Sequence, residues 1–245
     1  MNKALEEIDR VYPGTFTIHA LFDQIDEEVA TFGGAKKVKL AQATCRDDSV
    51  DELAEERVAR GYSGVFCMRT LSGLPTFGKT GMTAFYHHIP DNGVGVIIYA
   101  PHVGIDAQGR WGYLEREGIA DVAKSCGANH GIIGLWKNEQ DAPYEDDPEL
   151  STVAQILSPY CERVLNSDNP ICEIMEAEYE EGLDMLADYI TAVQKAEHHQ
   201  FPVMVFAGVN IDTQHDADNR IQLRTVRLFE NGEMVKDQKT GFYRT

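Results

Sequence analysis

Two cysteines and one histidine stand at positions in this sequence where an α/β protein could hold a metal ion. Cys45 ends a segment of alternating apolar residues, His102 follows a continuous apolar run, and Cys126 ends a predicted helix, before a glycine. In open α/β sheets, functional groups gather outside the carboxyl ends of the strands, so we expect Cys45 and His102 to converge there. Two thiolates and one imidazole form a zinc donor set that leaves a fourth position for water.

The spacing of these residues leaves other interpretations open. Separations of 57 and 24 residues match no short zinc motif, and no paired CxxC or HxxxH element is present. Buried cysteines and a turn histidine would produce the same pattern. A redox role for the thiol of Cys45 or Cys126 is a further alternative, although no CxxC supplies a resolving thiol.

A glycine-rich loop gives a formal match to a phosphate-binding motif. Gly73 and the run GKT at 78–80 satisfy the spacing GxxxxGKT. However, Pro75 stiffens the loop, no strongly apolar strand directly precedes it, and Gly81 weakens the helix whose N-terminus should hold the phosphates. Nucleotide binding is therefore the weaker interpretation of this loop.

The elements that must position these residues alternate between strands and helices. Apolar runs predict strands at 36–45, 65–68, 94–100 and 201–209, and a hairpin at 221–235. Helical patterns cover 1–32, about 47–60, 118–126, 148–157 and 171–198. This order predicts an α/β fold, with a mainly parallel central sheet flanked by helices. We expect one domain over 1–245, with an N-terminal helical segment at 1–32, a helical segment at 148–200 and C-terminal strands at 201–245.

The composition argues against two classes of partner. The 40 acidic residues outnumber the 22 Lys and Arg residues, and the resulting net charge of −18 should repel phosphate backbones and anionic lipids. No apolar run approaches the roughly 18 residues that indicate a membrane span, and the N-terminus has no signal-peptide pattern. We therefore expect a cytoplasmic protein that binds neither nucleic acid nor membrane, and whose five cysteines are not a disulfide scaffold.

Six short motifs occur in one order over roughly residues 14–135. They are CRDD at 45–48, GKTGMTAF at 78–85, HIPDNG at 88–93, APHVG at 100–104, REG at 116–118 and SCGA at 125–128. Together with a looser match near 201–212, they resemble the limiting-CO2-inducible protein B/C family, which is related to β-type and theta-class carbonic anhydrases. In that family the GKTG motif carries no implication of nucleotide binding.

The resemblance implies a fold, an assembly and a metal site. The fold is that of a β-carbonic-anhydrase-like α/β protein, the assembly is a homodimer, and the metal is a Zn2+ ion held by Cys45, His102 and Cys126. In plain β-class enzymes the second cysteine follows the histidine closely. The 24-residue gap in this sequence instead resembles the limiting-CO2-inducible branch.

The resemblance also implies an aspartate–arginine pair beside the zinc. The aspartate corresponds to Asp47, two residues after the first cysteine. The β-class pattern CxDxR would place the arginine at position 49, where this sequence has Ser49. We therefore expect Arg46 as the partner of Asp47, with Arg57 or Arg69 as alternatives.

The implied activity is the reversible hydration of CO2 to bicarbonate and a proton by zinc-bound hydroxide. Zinc lowers the pKa of bound water to about 7, and Asp47 would orient that water. His88 or His87 would export the proton, and Phe85 would line an apolar pocket for CO2. A polar turn and a packed aromatic ring are the alternatives for these positions. The alternative function is a catalytically silent zinc-binding scaffold, or a component of an inorganic-carbon complex, which would keep the same ligands.

Overall fold

The structure is a computed structural model that describes residues 3–47, 52–62, 64–116, 118–137, 146–197, 200–213 and 218–240. Its helices are α1 (Lys3–Val11), α2 (Ile18–Val29), α3 (Glu52–Ala59), α4 (Gly78–Tyr86), α5 (Gly127–Trp136), α6 (Pro148–Ile156), α7 (Cys161–Leu165) and α8 (Pro170–Ala196). Its strands are β1 (Phe16–Thr17), β2 (Val38–Thr44), β3 (Phe66–Cys67), β4 (Val94–Ala100), β5 (His102–Gly104), β6 (Tyr113–Leu114), β7 (Ala123–Lys124), β8 (Val203–Asp212), β9 (Arg220–Glu230) and β10 (Glu233–Lys239).

The main sheet has a parallel centre and an antiparallel edge. Strands β3, β2, β4 and β8 lie side by side and run in the same direction, and β5 continues the parallel pairing along the end of β8. Strand β9 pairs antiparallel with β8 and carries β1 and β10 on its other side. This arrangement confirms the predicted α/β fold with a mainly parallel central sheet.

Strand β4 shows why helices cover both faces of the sheet. All seven of its residues are buried, as expected for a central parallel strand. Val96 and Ile98 pack into one apolar cluster with α2, whereas Ile97 and Tyr99 pack into a second cluster with α4 and α8. Because successive side chains of a strand point to opposite faces, a continuous apolar run requires an apolar layer on each side.

Two of the predicted helical segments differ in the structure. The segment 1–32 is divided into α1 and α2, because Pro13 and Gly14, whose φ is +76°, turn the chain into β1. The predicted helix at 118–126 is instead a loop that includes β7, and the helix begins only at Gly127. Cys67, which the apolar run 65–68 predicts to be in the core, is exposed on β3.

The predicted C-terminal hairpin is confirmed. Strands β9 and β10 pair across Asn231 and Gly232, both of which have positive φ, as a two-residue type I′ turn requires. No helix among the described residues combines the length and the apolar composition that a membrane crossing needs.

The long helix α8 lies against β4 at Gly182. A Cβ atom at this position would overlap the hydroxyl of Tyr99, whose oxygen donates a hydrogen bond of 2.5 Å to the carbonyl of Glu178. The absence of a side chain at Gly182 therefore lets α8 lie against the strand that leads to His102.

We expect Gly182→Ala to destabilise the protein. In an exposed helix the same replacement would stabilise the helix by about 1 kcal/mol, because alanine has the higher helix propensity. The overlap with Tyr99 should cost about 1–3 kcal/mol, or roughly 2–12 °C in Tm for a chain of this size. Thermal unfolding measures the effect. Gly131→Ala in α5 is the matched control, because its Cβ would meet only the flexible side chain of Leu150, at 3.4 Å. Equal Tm values for the two variants would contradict this interpretation of the α8–β4 contact.

Candidate metal centre

The structure brings Cys45, His102 and Cys126 together at the carboxyl end of the parallel strands. One potential ligand atom from each residue lies within 4.8 Å of the other two. The three residues are 5%, 0% and 1% exposed, respectively. Among the described residues, this is the group of cysteine, histidine and acidic side chains whose geometry could hold a metal ion.

The parallel register of the sheet brings the first two residues together. Thr44 of β2 lies opposite Ala100 of β4, so the chain segments that follow leave the sheet at the same edge. Gly73 packs beneath this edge, where a Cβ atom would lie 3.1 Å from the backbone nitrogen of Cys45. Its φ of +89° also favours glycine, so the loop can support Cys45 closely only with this residue.

Cys126 occupies an unusual backbone conformation at the start of α5. Its φ of 53° and ψ of 73° are left-handed, and it forms the N-cap of the helix, not the end of a helix as the sequence predicts. Its carbonyl accepts hydrogen bonds from the backbone of Asn129, at 3.0 Å, and of His130, at 3.3 Å. A left-handed residue other than glycine costs on the order of 1–3 kcal/mol, and such residues concentrate at functional sites.

A buried carboxylate orients the imidazole of His102. Its Nδ1 lies 2.5 Å from Oδ2 of Asp212, and both side chains are completely buried. The parallel register pairs His102 with Asn210, which places Asp212 two residues further along β8 on the same face. The Asn210 amide donates to Oδ1 of Asp212 at 2.6 Å. With Nδ1–H held by Asp212, Nε2 is the nitrogen left to bind a metal ion.

The electrostatics of the cluster favour the metal-binding protonation state at Cys45 and the protonated forms at Cys126 and His102. The hydrogen bond with the Cys126 thiol, opposed by burial and assisted by His102, lowers the pKa of Cys45 to about 4. The same hydrogen bond and burial raise the pKa of Cys126 well above its ordinary value. Burial lowers the pKa of His102, but Asp212 outweighs burial and raises it well above 6.5. A metal ion that binds here must therefore displace protons from Cys126 and His102, and its affinity should fall at low pH.

These donors fit a zinc ion. Thiolate sulfur and imidazole nitrogen are the ligands that zinc prefers, and ligands of a tetrahedral zinc lie roughly 3–4 Å from one another. The three ligand atoms lie within 4.8 Å of one another, so only small shifts of these side chains are needed to reach that geometry. The cysteines are present as free thiols, so the sulfur atoms of Cys45 and Cys126 are available to a metal.

Asp47 pairs with Arg116. A guanidinium nitrogen of Arg116 donates to both carboxylate oxygens of Asp47, at 2.8 and 3.0 Å. The sequence-based expectation of Arg46 is therefore wrong: Arg46 pairs with Glu149 at 2.8 Å. The physical reason is that Glu149 of α6 engages the guanidinium of Arg46, whereas Arg116 reaches the Asp47 carboxylate from the segment after β6.

Arg69, an alternative partner of Asp47 in the sequence-based prediction, binds backbone carbonyls of this segment. Its Nε donates to the carbonyl of Cys45 at 2.8 Å, and a terminal nitrogen donates to the carbonyl of Asp47. Arg69 thus holds the backbone of this segment, whereas Arg116 holds the carboxylate. The other alternative, Arg57, belongs to α3.

His88 and Phe85 lie at the opposite end of the sheet from the cluster within this chain. Phe85 is fully buried, and its ring is 2.9 Å from the position of a Cβ atom at Gly95, near the start of β4. His88 Nδ1 lies 2.7 Å from the carbonyl oxygen of Ala84, and its ring packs on Phe66. Five residues of parallel strand separate Gly95 from the end of β4, a distance of about 17 Å.

Within this chain the structure does not bring these two residues to the metal centre, and the roles predicted for them stay predictions. The last turn of helix α4 packs at the start of β4, where Phe85 meets Gly95. His87, the other candidate for proton export, lies in the same turn and pairs with Glu197 at 3.1 Å.

A pocket of about 390 Å³ opens directly beside Cys45 and Asp47. Apolar side chains of Leu71 and Leu150 face it, and Asp147 lies at its edge. Its other lining residues are Arg46, Gly127 and Ala128. The pocket gives a small apolar molecule a route from solvent to the cluster.

Glu178 of α8 lies buried behind the cluster. Its Oε2 accepts a hydrogen bond of 3.0 Å from the side-chain amide of Asn129. Burial raises the pKa of Glu178 to about 8, against the opposing effects of Asn129 and the neighbouring Ser72 hydroxyl. A carboxyl in this state is mostly uncharged at neutral pH, which avoids a further negative charge beside two cysteines.

Sequence reasoning missed Arg116, Asp212 and Glu178. The motif REG contains Arg116, but its separation of 69 residues from Asp47 gives no local signal of pairing. The alternation of Asn210 and Asp212 at the end of an apolar strand could have indicated polar groups at the carboxyl edge. Glu178 is one acidic residue among many on α8 and carries no distinguishing signal in the sequence.

Comparison with known proteins identifies what this chain resembles. A family model described as limiting CO2-inducible proteins B/C beta carbonic anhydrases matches residues 15–229. The crystal structure of PtLCIB4, a homolog of the limiting CO2-inducible protein LCIB, superposes with a TM-score of 0.87 at 22% identity, over 95% of this chain and 99% of that chain. The crystal structure of LCIB itself superposes with a TM-score of 0.68 at 20% identity, over 95% and 97% of the two chains. These two structures share the fold of this chain. No curated protein matches the chain.

We expect Asp212→Asn to weaken zinc binding by about 10–100-fold, because the residues that orient metal-bound histidines typically contribute this much. Competition with a chromophoric chelator measures the dissociation constant. Asp106→Asn is the matched control, since Asp106 is equally buried but pairs with Arg110 in the loop after β5. A zinc affinity of Asp212→Asn equal to that of the unmodified protein would show that the carboxylate does not support the ligand.

Proposed function

Since this chain belongs to the family of limiting CO2-inducible proteins B/C, we propose that it is a zinc carbonic anhydrase that interconverts CO2 and bicarbonate. The observation that carries the proposal is the Asp47–Arg116 pair beside three zinc-type ligands, where Cys45 and Asp47 line an open pocket. A zinc site that only stabilised the fold would need neither the pocket nor the oriented carboxylate.

Cys45, His102 and Cys126 would hold the metal ion. Structural zinc sites are usually closed by four protein ligands, whereas catalytic sites have three and keep one position open. Within the part of the chain that the structure describes, the cluster offers three. When bound, zinc supplies the Lewis acidity that makes water an effective nucleophile at neutral pH.

Asp47 would orient the nucleophile. Its carboxylate accepts hydrogen bonds and can hold the proton-bearing side of a water molecule, which turns a lone pair toward the carbon of CO2. One nitrogen of Arg116 donates to both carboxylate oxygens and thereby holds the carboxylate in place beside Cys45. Arg69 holds the backbone on either side of Arg46, so the carboxylate keeps its position relative to Cys45.

The pocket beside Cys45 would be the site for CO2, and Phe85 is not among its lining residues. CO2 has no net dipole, and the apolar side chains of Leu71, Ala128 and Leu150 suit it. The proton released by hydration would leave through the same opening, toward solvent and the carboxyl groups of Asp147 and Glu149. We also propose that the protein is a homodimer, because of the family resemblance, and that it is cytoplasmic, as the sequence analysis expects.

Stopped-flow measurement of CO2 hydration on zinc-quantified protein tests the function. Zinc at one equivalent per chain with hydration above the buffer rate supports the enzyme. Zinc at one equivalent without hydration would overturn it in favour of the catalytically silent scaffold.

We expect Cys45→Ala, His102→Ala and Cys126→Ala each to lose most of the bound zinc, because each variant removes one of the protein ligands. Metal content after gel filtration gives the result. Cys67→Ala is the control, since Cys67 is exposed on β3 and does not belong to the cluster. Full zinc occupancy and activity in His102→Ala would contradict the assignment of the imidazole.

We expect Asp47→Asn to lower the rate of CO2 hydration by about 10²–10⁴-fold with zinc largely retained, because the amide cannot replace a charged acceptor. Arg116→Gln should act in the same direction, since Asp47 loses its ionic partner. Arg110→Gln is the control, because Arg110 pairs with Asp106 instead. Rates and zinc content are measured on the same preparations. A near-normal rate in Asp47→Asn would contradict the orienting role of this carboxylate.

A further inference from the structure

The carboxyl of Glu178 lies behind the metal centre, and neither the ligand set nor the proposed catalysis uses it. The side chain is completely buried on α8, and its Oε2 accepts a hydrogen bond of 3.0 Å from the amide of Asn129. A buried carboxyl is unfavourable unless its polar atoms have partners, so its retention in the core calls for an explanation.

Asn129 connects this carboxyl to one of the cysteine ligands. It is the third residue of α5, and its backbone N–H donates to the carbonyl of Cys126 at 3.0 Å. Cys126 itself has the left-handed conformation, which persists only where the surrounding structure enforces it. The Glu178–Asn129 bond fixes the first turn of α5 against α8 and thereby limits the movement of Cys126.

A second connection leads toward Cys45. The hydroxyl of Ser72 lies beside the Glu178 carboxyl, and Ser72 is fully buried with a φ of +59°. The next residue, Gly73, is the one whose missing side chain allows close packing on the backbone of Cys45. The carboxyl therefore lies next to the supporting loop of one cysteine and accepts a hydrogen bond from the first turn of the helix that begins at the other.

The backbone of Glu178 is also held in place. Tyr99, three residues before His102, donates its hydroxyl proton to the Glu178 carbonyl at 2.5 Å. Gly182, one turn later on α8, allows this approach. The side chain consequently projects from a fixed point on the helix, which is what a positioning residue needs.

We propose that the side chain of Glu178 is a positioning residue that holds Cys126, through Asn129, and Cys45, through the Ser72–Gly73 loop, at the separation that a zinc ion requires. Glu178 positions the two cysteines through the acceptor oxygen of its carboxyl and through the shape of its side chain. This proposal rests on the metal-binding part of the proposed function and is independent of whether the protein hydrates CO2.

The test compares Glu178→Ala with Glu178→Gln in the full-length protein, with Zn2+ affinity and the Co2+ absorption spectrum as readouts. Glu178→Ala should weaken Zn2+ binding by about 10–100-fold and alter the Co2+ d–d and thiolate charge-transfer bands, which report ligand geometry. Glu178→Gln keeps the shape and an acceptor oxygen for Asn129, so its affinity should stay within about threefold and its spectrum should be unchanged.

Glu176→Gln is the matched control. Glu176 lies two residues earlier on α8, is partly buried and pairs with Arg224 at 2.5 and 2.7 Å instead of with the metal centre. Its replacement should lower the Tm while leaving Zn2+ affinity and the Co2+ spectrum unchanged, which separates loss of stability from loss of ligand positioning.

A folded Glu178→Ala protein with unchanged Zn2+ affinity and Co2+ spectrum would overturn the proposal. So would an equal loss in Glu178→Ala and Glu178→Gln, because acceptor and shape would then not account for the effect. Where Glu178→Ala does not fold, Asn129→Ala gives the same test, with the same loss expected and an unchanged affinity overturning the proposal. Unmodified protein that binds no Zn2+ would contradict this proposal and the proposed function together, whereas Zn2+ binding without CO2 hydration would contradict only the proposed function.

Discussion

The rest of the structure depends on one constraint: two thiols and an imidazole must meet within 4.8 Å, although all three side chains are almost fully buried. Each of these groups can carry charge, and an unpaired buried charge is costly. The fold meets this cost by pairing them with one another and with a carboxylate. The thiols of Cys45 and Cys126 hydrogen-bond to each other, and the imidazole of His102 bonds to the carboxylate of Asp212. The donor set is therefore organised by electrostatics as well as by shape.

The parallel sheet satisfies this constraint because it converts distant sequence positions into neighbours. Strands β2, β4 and β8 end at one edge, and they bring Cys45, His102 and Asp212 there in register. Each residue arrives on a different strand, so the cluster is complete only when the whole sheet has formed. Binding energy at such a site adds directly to folding energy, because the unfolded chain offers no equivalent site.

The sequence predicts the parts of this arrangement that follow from a local pattern. Continuous apolar runs predict the parallel strands, and strand ends predict that Cys45 and His102 meet. The sequence could not predict the contacts between residues that are far apart in the chain. Arg116 reaches Asp47 from a hairpin loop 69 residues away, and only the three-dimensional course of that loop reveals the pair. The position of Phe85 away from the cluster was not predictable for a related reason, because its motif does not indicate which end of a helix faces the cluster.

The same hairpin that delivers the arginine also delivers the second cysteine. Arg116 follows β6, and Cys126 comes two residues after β7, which pairs with β6. The Arg116–Asp47 bonds therefore draw the hairpin toward the segment that contains Cys45, and the approach of Cys126 to Cys45 joins the same two segments at a second point. Two points of attachment fix orientation where one would permit rotation. The carboxylate that would orient the nucleophile and the sulfur that would bind the metal are thus positioned by a single structural unit.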